Sequence, residues 1–470
     1  MVISLRAARV ALHAAALLVL CVSMLQPAMA QMPAFTWLPV PTAASVIPDR
    51  YIVVLKTGEA ASPADILKDY RSTLPQVFPS VRGFAATMNK VEALKLMADP
   101  RVAIVEPDVT VYAFAYCPPA LQRWCGASSS RSSSVSSYSS SIASSVASSV
   151  ASSVAGGSSS AASGNSASMP TGIRRAGGAV SGTAQIDGTD DRVDVDVAII
   201  DTGTQSNHPD LNVTNVANFT DESAADGNGH GTHVGGTVGA LDNNSGPVGI
   251  APGARLWSVK VLDSSGAGSM SDIIAGIDYV TAHASEIEVA NMSLGCECTS
   301  SALNAAIKRA VDAGVVMVVA AGNSAKDAKS FSPANHPDVI TVSALADFNG
   351  LPGGGAAKTC RNDVDDTFAD FSNYGQVVDI AAPGVCIFST WPTAKISSGI
   401  NTISGTSMAS PHVAGAAALY VATRSKPTDA AGVAAVKQAL INAAWVQNGT
   451  NGFTGDKDSY QEPVLNVSSL

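Results

Sequence analysis

The sequence predicts a three-layer α/β domain with a mainly parallel β-sheet, because short apolar runs alternate with helix-like stretches. The apolar runs have the composition of strands buried on both faces, and they lie near Val195, Arg255, Val289, Val315 and Val339. The helix-like stretches lie near His230, Ser271, Ser301 and Ser407. In such a fold the functional residues collect at the carboxyl ends of strands and at the beginnings of helices.

Residues 1–30 have the pattern of a secretory signal peptide. Arg6 and Arg9 precede an apolar run, and Ala28-Met29-Ala30 fits a cleavage site of small residues. The apolar run is too short to span a membrane, so we expect no stable membrane anchor. The predicted location is outside the cell or in the periplasm.

Two segments separate this leader from the α/β domain, which we place at residues 169–470. Residues 49–114 hold strand-like runs at 51–56 and 102–108 with helix-period stretches between them, which predicts a small α+β domain. Residues 115–168 contain two cysteines and then mostly serine, alanine and glycine. Such a composition cannot bury enough apolar surface to fold, so it predicts a flexible linker.

Composition and charge narrow the class of protein. Of the 470 residues, 46% are hydrophobic and 14% are charged, with a formal net charge of −10. The apolar content suffices for one large core and a small domain. The chain has no basic patch, so nucleic acid is not an expected partner. Separately, we expect the protein to be a monomer.

Seven cysteines are present, and Cys21 would leave with the leader. The other six are Cys117, Cys125, Cys296, Cys298, Cys360 and Cys386. An even number in an exported chain indicates disulfides. We expect Cys117 with Cys125, and Cys360 with Cys386, to be close enough to pair. A bond between Cys296 and Cys298 would be strained, so their state stays open.

Asp201 is the first candidate for a chemical role. It follows an apolar run at residues 197–200 and precedes Thr202-Gly203, so it should lie at the rigid tip of a buried strand. A shielded carboxylate there can orient and stabilise an imidazole. Aspartic proteases also use Asp-Thr-Gly, but they need a second copy, and the sequence holds none. Taken alone, the motif is equally compatible with an ordinary strand-end aspartate.

His230 and His233 lie in a glycine-rich segment that continues as a helix of small residues. The zinc motif His-Glu-x-x-His requires a spacing of four and a glutamate, and neither is present. We therefore expect His230 to be a general base and His233 to be structural.

Ser407 opens a small, apolar helix-like stretch, in which Pro411 is tolerated because it falls in the first turn. The free backbone N–H groups and the dipole of a helix N-terminus favour a developing oxyanion. The competing interpretation is that Ser407 only caps the helix. The nucleophile elbow Gly-x-Ser-x-Gly of α/β-hydrolases is absent, because Ala409 stands at its second glycine. Asn323 ends another strand-like run, and its amide can donate to an oxyanion.

In the order Asp201, His230, Asn323, Ser407, these motifs resemble the subtilisin-like serine proteases, in particular the proteinase K-like group. The resemblance runs from about residue 170 to the C-terminus. It implies that Asp201, His230 and Ser407 form a catalytic triad and that Asn323 and the Ser407 N–H form the oxyanion hole. Residues 49–114 resemble the prosegment of this family, which implies an intramolecular inhibitor with Phe114 before the point of self-cleavage.

The resemblance also implies where a substrate would bind. The residues concerned are Ser293, Leu294 and Gly295 on one edge, Gly266, Ala267 and Gly268 on the other, and Gly322 beside the oxyanion hole. A peptide would lie between the two edges as an added strand. Residues 320–324 contain no acidic side chain, so we expect cleavage after apolar or aromatic residues. Glu297 lies close in sequence, but its direction stays open.

No cofactor is expected for catalysis, but the resemblance implies a structural calcium ion. Its ligands would be the carboxylate of Asp379 and the backbone carbonyls of Pro337 and Val339, a mixture of oxygens that calcium accepts. A solvated strand-end aspartate is an equal alternative. Residues 347–370 are a stretch that short family members lack, and it would add or disturb a site.

The sequence therefore predicts a secreted serine endopeptidase that cleaves protein or peptide substrates through an acyl-enzyme. It would be made as a self-processing zymogen. One alternative is a catalytically silent secreted binding protein with the same fold, against which the intact triad argues. Another is an esterase or lipase on a related sheet, against which the missing nucleophile elbow argues.

Overall fold

The structure is a computed structural model that describes residues 45–70, 73–114 and 169–470. The predictions for residues 1–30 and 115–168, including the pairing of Cys117 with Cys125, concern residues outside these ranges. Within the described ranges, no helix has both the length and the apolar character that crossing a membrane requires.

The N-terminal domain, residues 46–113, is a twisted antiparallel sheet with helices packed on it. Its elements are β1 (Val46–Leu55), α1 (Pro63–Asp69), β2 (Thr73–Phe78), β3 (Gly83–Thr87), α2 (Lys90–Met97) and β4 (Val102–Ala113). The strand order is β2-β3-β1-β4. Both helices begin at capping boxes, in which Ser62 and Asn89 accept backbone hydrogen bonds. Ile66 and Leu96 are fully buried against the sheet.

The α/β domain follows from residue 169. Its helices are α3 (Thr171–Arg175), α4 (His230–Gly239), α5 (Met270–Ala282), α6 (Ser301–Asp312), α7 (Thr406–Ala422) and α8 (Ala430–Ala443). Its strands are β5 (Asp196–Asp201), β6 (Val213–Asn218), β7 (Arg255–Lys260), β8 (Ala267–Ser269), β9 (Val289–Met292), β10 (Leu294–Gly295), β11 (Val316–Ala320), β12 (Ile340–Ala346), β13 (Thr367–Phe368), β14 (Ile380–Pro383), β15 (Ile387–Thr390) and β16 (Ile400–Ile403). Short 3-10 turns lie at Gly178–Val180 and Ala328–Ser330.

The main sheet has the order β13-β12-β11-β9-β5-β7-β6, with β14 also paired to β12. The pairs among β6, β7, β5, β9, β11, β12 and β14 are parallel, and β13 joins β12 antiparallel. Helix α7 is almost wholly buried and packs on β9, β11, β12 and β14, while α5 and α6 pack on each other. The predicted three-layer α/β fold with a mainly parallel sheet is confirmed.

The C-terminal end of β4 lies between two short strands of the α/β domain. Thr110, Val111 and Tyr112 pair antiparallel with β8, while Tyr112 and Ala113 pair antiparallel with β10. The end of the N-terminal domain is thus hydrogen-bonded on both sides as an inserted strand.

Two disulfides fall within the described residues. Cys360 is bonded to Cys386, as expected. Cys296 is bonded to Cys298, a pairing that the sequence argument disfavoured. This short loop directly follows β10, so it lies beside the inserted strand.

Candidate active site

Asp201 and His230 form the best-defined pair of the site. Asp201 is the last residue of β5 and is fully buried, and its Oδ1 accepts the Thr202 N–H at 2.7 Å. His230 Nδ1 lies 2.7 Å and 2.9 Å from the two carboxylate oxygens of Asp201. This contact fixes the ring orientation and places the proton of the neutral imidazole on Nδ1, which leaves Nε2 as a base.

A second buried carboxylate, Asp226, organises the chain around that pair. It accepts hydrogen bonds from the backbone of Asn228, Gly229 and Thr232 and from the hydroxyls of Thr232 and Thr202. Burial raises the pKa of Asp226, and these donors oppose that rise. Asp226 therefore links Thr202, which follows Asp201, to the backbone segments directly before and after His230. The sequence analysis missed it, and its only signal was a carboxylate in the glycine-rich turn.

The turn before His230 requires glycine. Gly229 has φ +113°, and a side chain there would lie 2.3 Å from the ring of Trp391. His233 is fully buried with Nε2 3.0 Å from the Ile387 carbonyl oxygen. Burial lowers the pKa of His233 to about 3, which agrees with the predicted structural role.

Ser407 is the second residue of α7 and is fully buried. Its hydroxyl donates to the backbone carbonyl of Ser293 at 2.9 Å. His230 Nε2 is buried and has no hydrogen-bond partner among the described residues. The structure therefore forms the Asp201–His230 contact but not a hydrogen bond between Ser407 and His230.

Asn323 is oriented by the residue before Ser407. Its Oδ1 accepts from the Thr406 N–H at 2.9 Å and from the Thr406 hydroxyl at 2.8 Å. With the amide oxygen so engaged, Nδ2 donates to the backbone carbonyl of Phe114 at 2.7 Å. Gly322 adds a backbone donor to the same Thr406 hydroxyl at 3.1 Å. The Phe114 carbonyl is thus held by the amide that was predicted to bind an oxyanion.

The predicted substrate residues surround the same inserted strand. The Phe114 N–H donates to the Ser293 carbonyl at 3.1 Å, and the Ala113 N–H donates to the Gly266 carbonyl at 2.9 Å. Val111 is opposite Gly268, Tyr112 lies between Ala267 and Gly295, and Ala113 is opposite Leu294. The Phe114 ring is buried so close to Gly295 that a Cβ on this glycine would lie 2.7 Å from it.

The direction of Glu297 is now defined. Its carboxylate pairs with Lys326 Nζ at 2.7 Å, and both side chains are partly exposed. The negative charge of Glu297 is therefore matched by a lysine of this chain.

The oxygens expected to bind calcium hold a lysine instead. Lys437 Nζ lies 2.8 Å from Asp379 Oδ2, 2.7 Å from the Val339 carbonyl oxygen and 3.3 Å from that of Pro337. The predicted set of residues does come together, but an ammonium group occupies its centre.

A different group in the described part of the chain has an arrangement that could hold a metal ion. It consists of the buried carboxylates of Asp347, Asp365 and Asp366, whose ligand oxygens lie within 4.8 Å of one another. Arg175 shares this site, with Nε 2.9 Å from Asp366 and 3.5 Å from Asp347. Burial raises the pKa of Asp347 to about 7. The group lies in the extra stretch at residues 347–370.

A buried acid–imidazole pair and a helix-start serine at the edge of a parallel α/β sheet define a serine hydrolase, and the strand held in the cleft indicates one that acts on peptides. The family model of the subtilases matches residues 193–463, and the model of peptidase inhibitor I9 matches residues 50–114. The chain therefore belongs to the subtilase family. It is therefore an enzyme, a subtilisin-like serine peptidase that carries an inhibitor prosegment.

Several known proteins are similar to this chain. Subtilisin DY of Bacillus licheniformis is 40% identical over 283 residues, which cover 58% of this chain and 90% of that protein. Subtilisin NAT of Bacillus subtilis subsp. natto is 33% identical over 391 residues, which cover 81% of this chain and 82% of that protein. The crystal structure of a cold adapted subtilisin-like serine proteinase aligns with a TM-score of 0.50 and 32% identity, covering 65% of this chain and 99% of that one.

Proposed function

We propose that this protein is a secreted endopeptidase in which Ser407 is the nucleophile, His230 the general base and Asp201 the group that stabilises the imidazolium. The observation that carries this proposal is the position of Phe114. Its carbonyl accepts the Asn323 amide, while its N–H pairs with the Ser293 edge. This is how the residue before a scissile bond would bind.

In the proposed mechanism, the Ser407 hydroxyl leaves the Ser293 carbonyl and turns to His230 Nε2, which takes its proton as the oxygen attacks the peptide carbonyl. Asp201 stabilises the positive ring that results. Asn323 donates to the oxyanion and is already held in position by Thr406, so little reorganisation is needed. His230 then protonates the leaving amine, and water releases the acyl group without any cofactor.

We further propose that the domain of residues 49–114 is an intramolecular inhibitor and that the chain cuts itself after Phe114. Two carboxylates of β4 support stable docking, because they cap helices of the α/β domain. Glu106 accepts from the Ser301 N–H at 3.0 Å at the start of α6, and Asp108 accepts from the Ser271 N–H at 3.1 Å at the start of α5. The first N–H groups of a helix lack partners within the helix, so an acceptor oxygen at each helix start stabilises the docked arrangement.

We propose a preference for aromatic or apolar residues before the cut. The Phe114 ring is 1% exposed in its pocket, which supports this preference. Glu297 is compensated by Lys326, so it offers no unpaired charge to a basic substrate residue. The proposed substrates are proteins and peptides outside the producing cell.

The test is the intact mass of the protein expressed without residues 1–30. We expect the wild type to be cut after Phe114 or within residues 115–168, and Ser407→Ala to stay at full length. Ser398→Ala, at an exposed serine, is the matched control and should be cut like the wild type. Full-length protein in all three samples under folding conditions would contradict the proposal, as would equal cutting of Ser407→Ala.

A further inference from the structure

Lys437 projects from α8 into the place where the resemblance to proteinase K-like enzymes implies a calcium ion. Its ammonium group contacts all three expected ligand oxygens, at 2.7 Å from Val339, 2.8 Å from Asp379 and 3.3 Å from Pro337. The lysine side chain is 21% exposed and the Asp379 side chain 18%, so the contact is largely shielded from water.

This arrangement does not fit a calcium ion. Calcium binds six to eight oxygens at about 2.3–2.6 Å. An ion bound to these three oxygens would therefore occupy the same space as Lys437 Nζ. The charges also balance without a metal, because one ammonium faces one carboxylate. A divalent cation added beside the lysine would leave the site with a surplus of positive charge in a poorly solvated place.

The carboxylate is itself firmly held. Asp379 Oδ2 also accepts the Thr341 N–H at 2.9 Å, and the Asp379 N–H donates to the Thr341 carbonyl at 2.9 Å. Thr341 belongs to β12, so the contact of Lys437 with this group ties α8 to β12 of the main sheet. A calcium ion at the same point would join Asp379 to the 337–339 turn but could not reach α8.

We propose that Lys437 is a built-in cation that replaces calcium at the Pro337, Val339 and Asp379 site. It excludes the metal and links α8 to β12. The three oxygens all lie within 3.3 Å of one ammonium nitrogen, so removal of the ammonium group should expose them to calcium. This inference does not depend on the catalytic roles proposed above.

The test measures the midpoint of thermal unfolding in calcium chloride and in EDTA, with Ser407→Ala in every protein to prevent self-digestion. The reference response is that of the full chain without further changes, and it includes any calcium held by the Asp347 group. Asp379→Asn should show this same calcium-dependent shift, because Asp379 is not a ligand while Lys437 is present. Lys437→Ala should show an additional rise in calcium of about 3 °C or more.

Two further variants complete the design. Gln438→Ala, at the exposed neighbouring position on α8, should respond like the reference, and Asp379→Asn combined with Lys437→Ala should lose the additional rise. A smaller calcium shift in Asp379→Asn alone would overturn the proposal, because calcium would then bind despite the lysine. An unchanged shift in Lys437→Ala would also overturn it. If Lys437→Ala fails to fold, the binding of terbium is titrated in the reference and in Asp379→Asn. Equal terbium binding by the two proteins supports the proposal. Weaker terbium binding by Asp379→Asn contradicts it.

Discussion

At the scale of single residues, the orientation of Asn323 explains how a neutral amide can act as a specific donor. Both Thr406 donors bind its oxygen, so the NH₂ group has to point at the Phe114 carbonyl. A donor fixed before the reaction begins stabilises the charge that develops in the transition state more than it stabilises the neutral carbonyl.

We therefore expect Asn323→Ala to lower kcat by about 10²–10³-fold while KM changes little. Thr406→Ala should lower kcat less, because the Thr406 backbone N–H still holds the amide, and Thr406→Ser should retain near-normal kcat. Steady-state kinetics on a peptide amide substrate checks these values. A raised KM with unchanged kcat in Asn323→Ala would contradict this role, because it would mean that the amide binds the ground state and the transition state equally.

The residues of this site differ in how far sequence could reveal them. Asp201, His230 and Ser407 lie in local motifs whose glycines and small residues mark tight packing, so they could be proposed as a triad without a structure. Lys437 could not be linked to Asp379, because no local pattern relates a helix residue to a strand residue far along the chain. The hydrogen bond from Ser407 to the Ser293 carbonyl was equally hidden, because a side-chain rotamer depends on what fills the cleft.

At the scale of elements, strands that are buried on both faces could be predicted from the sequence. Elements that bury only a few of their residues could not. The apolar runs near Val195, Arg255, Val289, Val315 and Val339 became β5, β7, β9, β11 and β12. The edge strand β6 was missed because its residues are polar or only partly buried. Helix α8 was missed because its alanine-rich sequence buries only Val433, Val436 and Leu440, so tertiary packing decides its conformation.

The strand β10 carries a prediction about specificity. A Cβ at Gly295 would lie 2.7 Å from the Phe114 ring and 2.5 Å from the Ser332 carbonyl oxygen, which is too close for either neighbour. Gly295→Ala should therefore reduce kcat/KM for substrates with phenylalanine before the cut more than for those with alanine. Assays with matched peptides that differ only at that residue measure the ratio.

Gly182→Ala is the matched control, because no atom lies within 4 Å of a Cβ at that position. It should keep the ratio of the unchanged enzyme. An equal loss on both peptides in Gly295→Ala would indicate general damage to the strand and would contradict the specificity role of this glycine.

At the scale of the whole molecule, the surface between the two domains is rich in carboxyl groups that burial makes harder to ionise. Burial raises the pKa of Glu106 and Asp108 on the prosegment side, and of Asp272 and Asp278 on the other. Arg50 faces two of these groups, 2.9 Å from Asp108 and 3.8 Å from Asp272. Its charge lowers the pKa of both groups but does not reverse the rise.

The direction of the pH effect follows from these shifts. When the domains separate, the carboxyl groups regain water and their pKa values fall towards the ordinary range. The docked state therefore binds protons more tightly than the separated state, so docking is favoured at low pH and weakens as pH rises through the raised pKa values. After self-cleavage, the prosegment should dissociate more readily at pH 8 than at pH 5.

Size-exclusion chromatography of the cleaved protein at several pH values measures how much prosegment remains bound. Glu106→Gln with Asp108→Asn keeps an acceptor oxygen at each helix start but removes two ionisable groups, so retention should depend less on pH than in the wild type. Glu286→Gln, at an exposed position, should leave the pH profile unchanged. If retention rises with pH in the wild type, the ionised carboxylates stabilise docking by more than their burial costs, and the helix N-termini rather than desolvation control release of the enzyme.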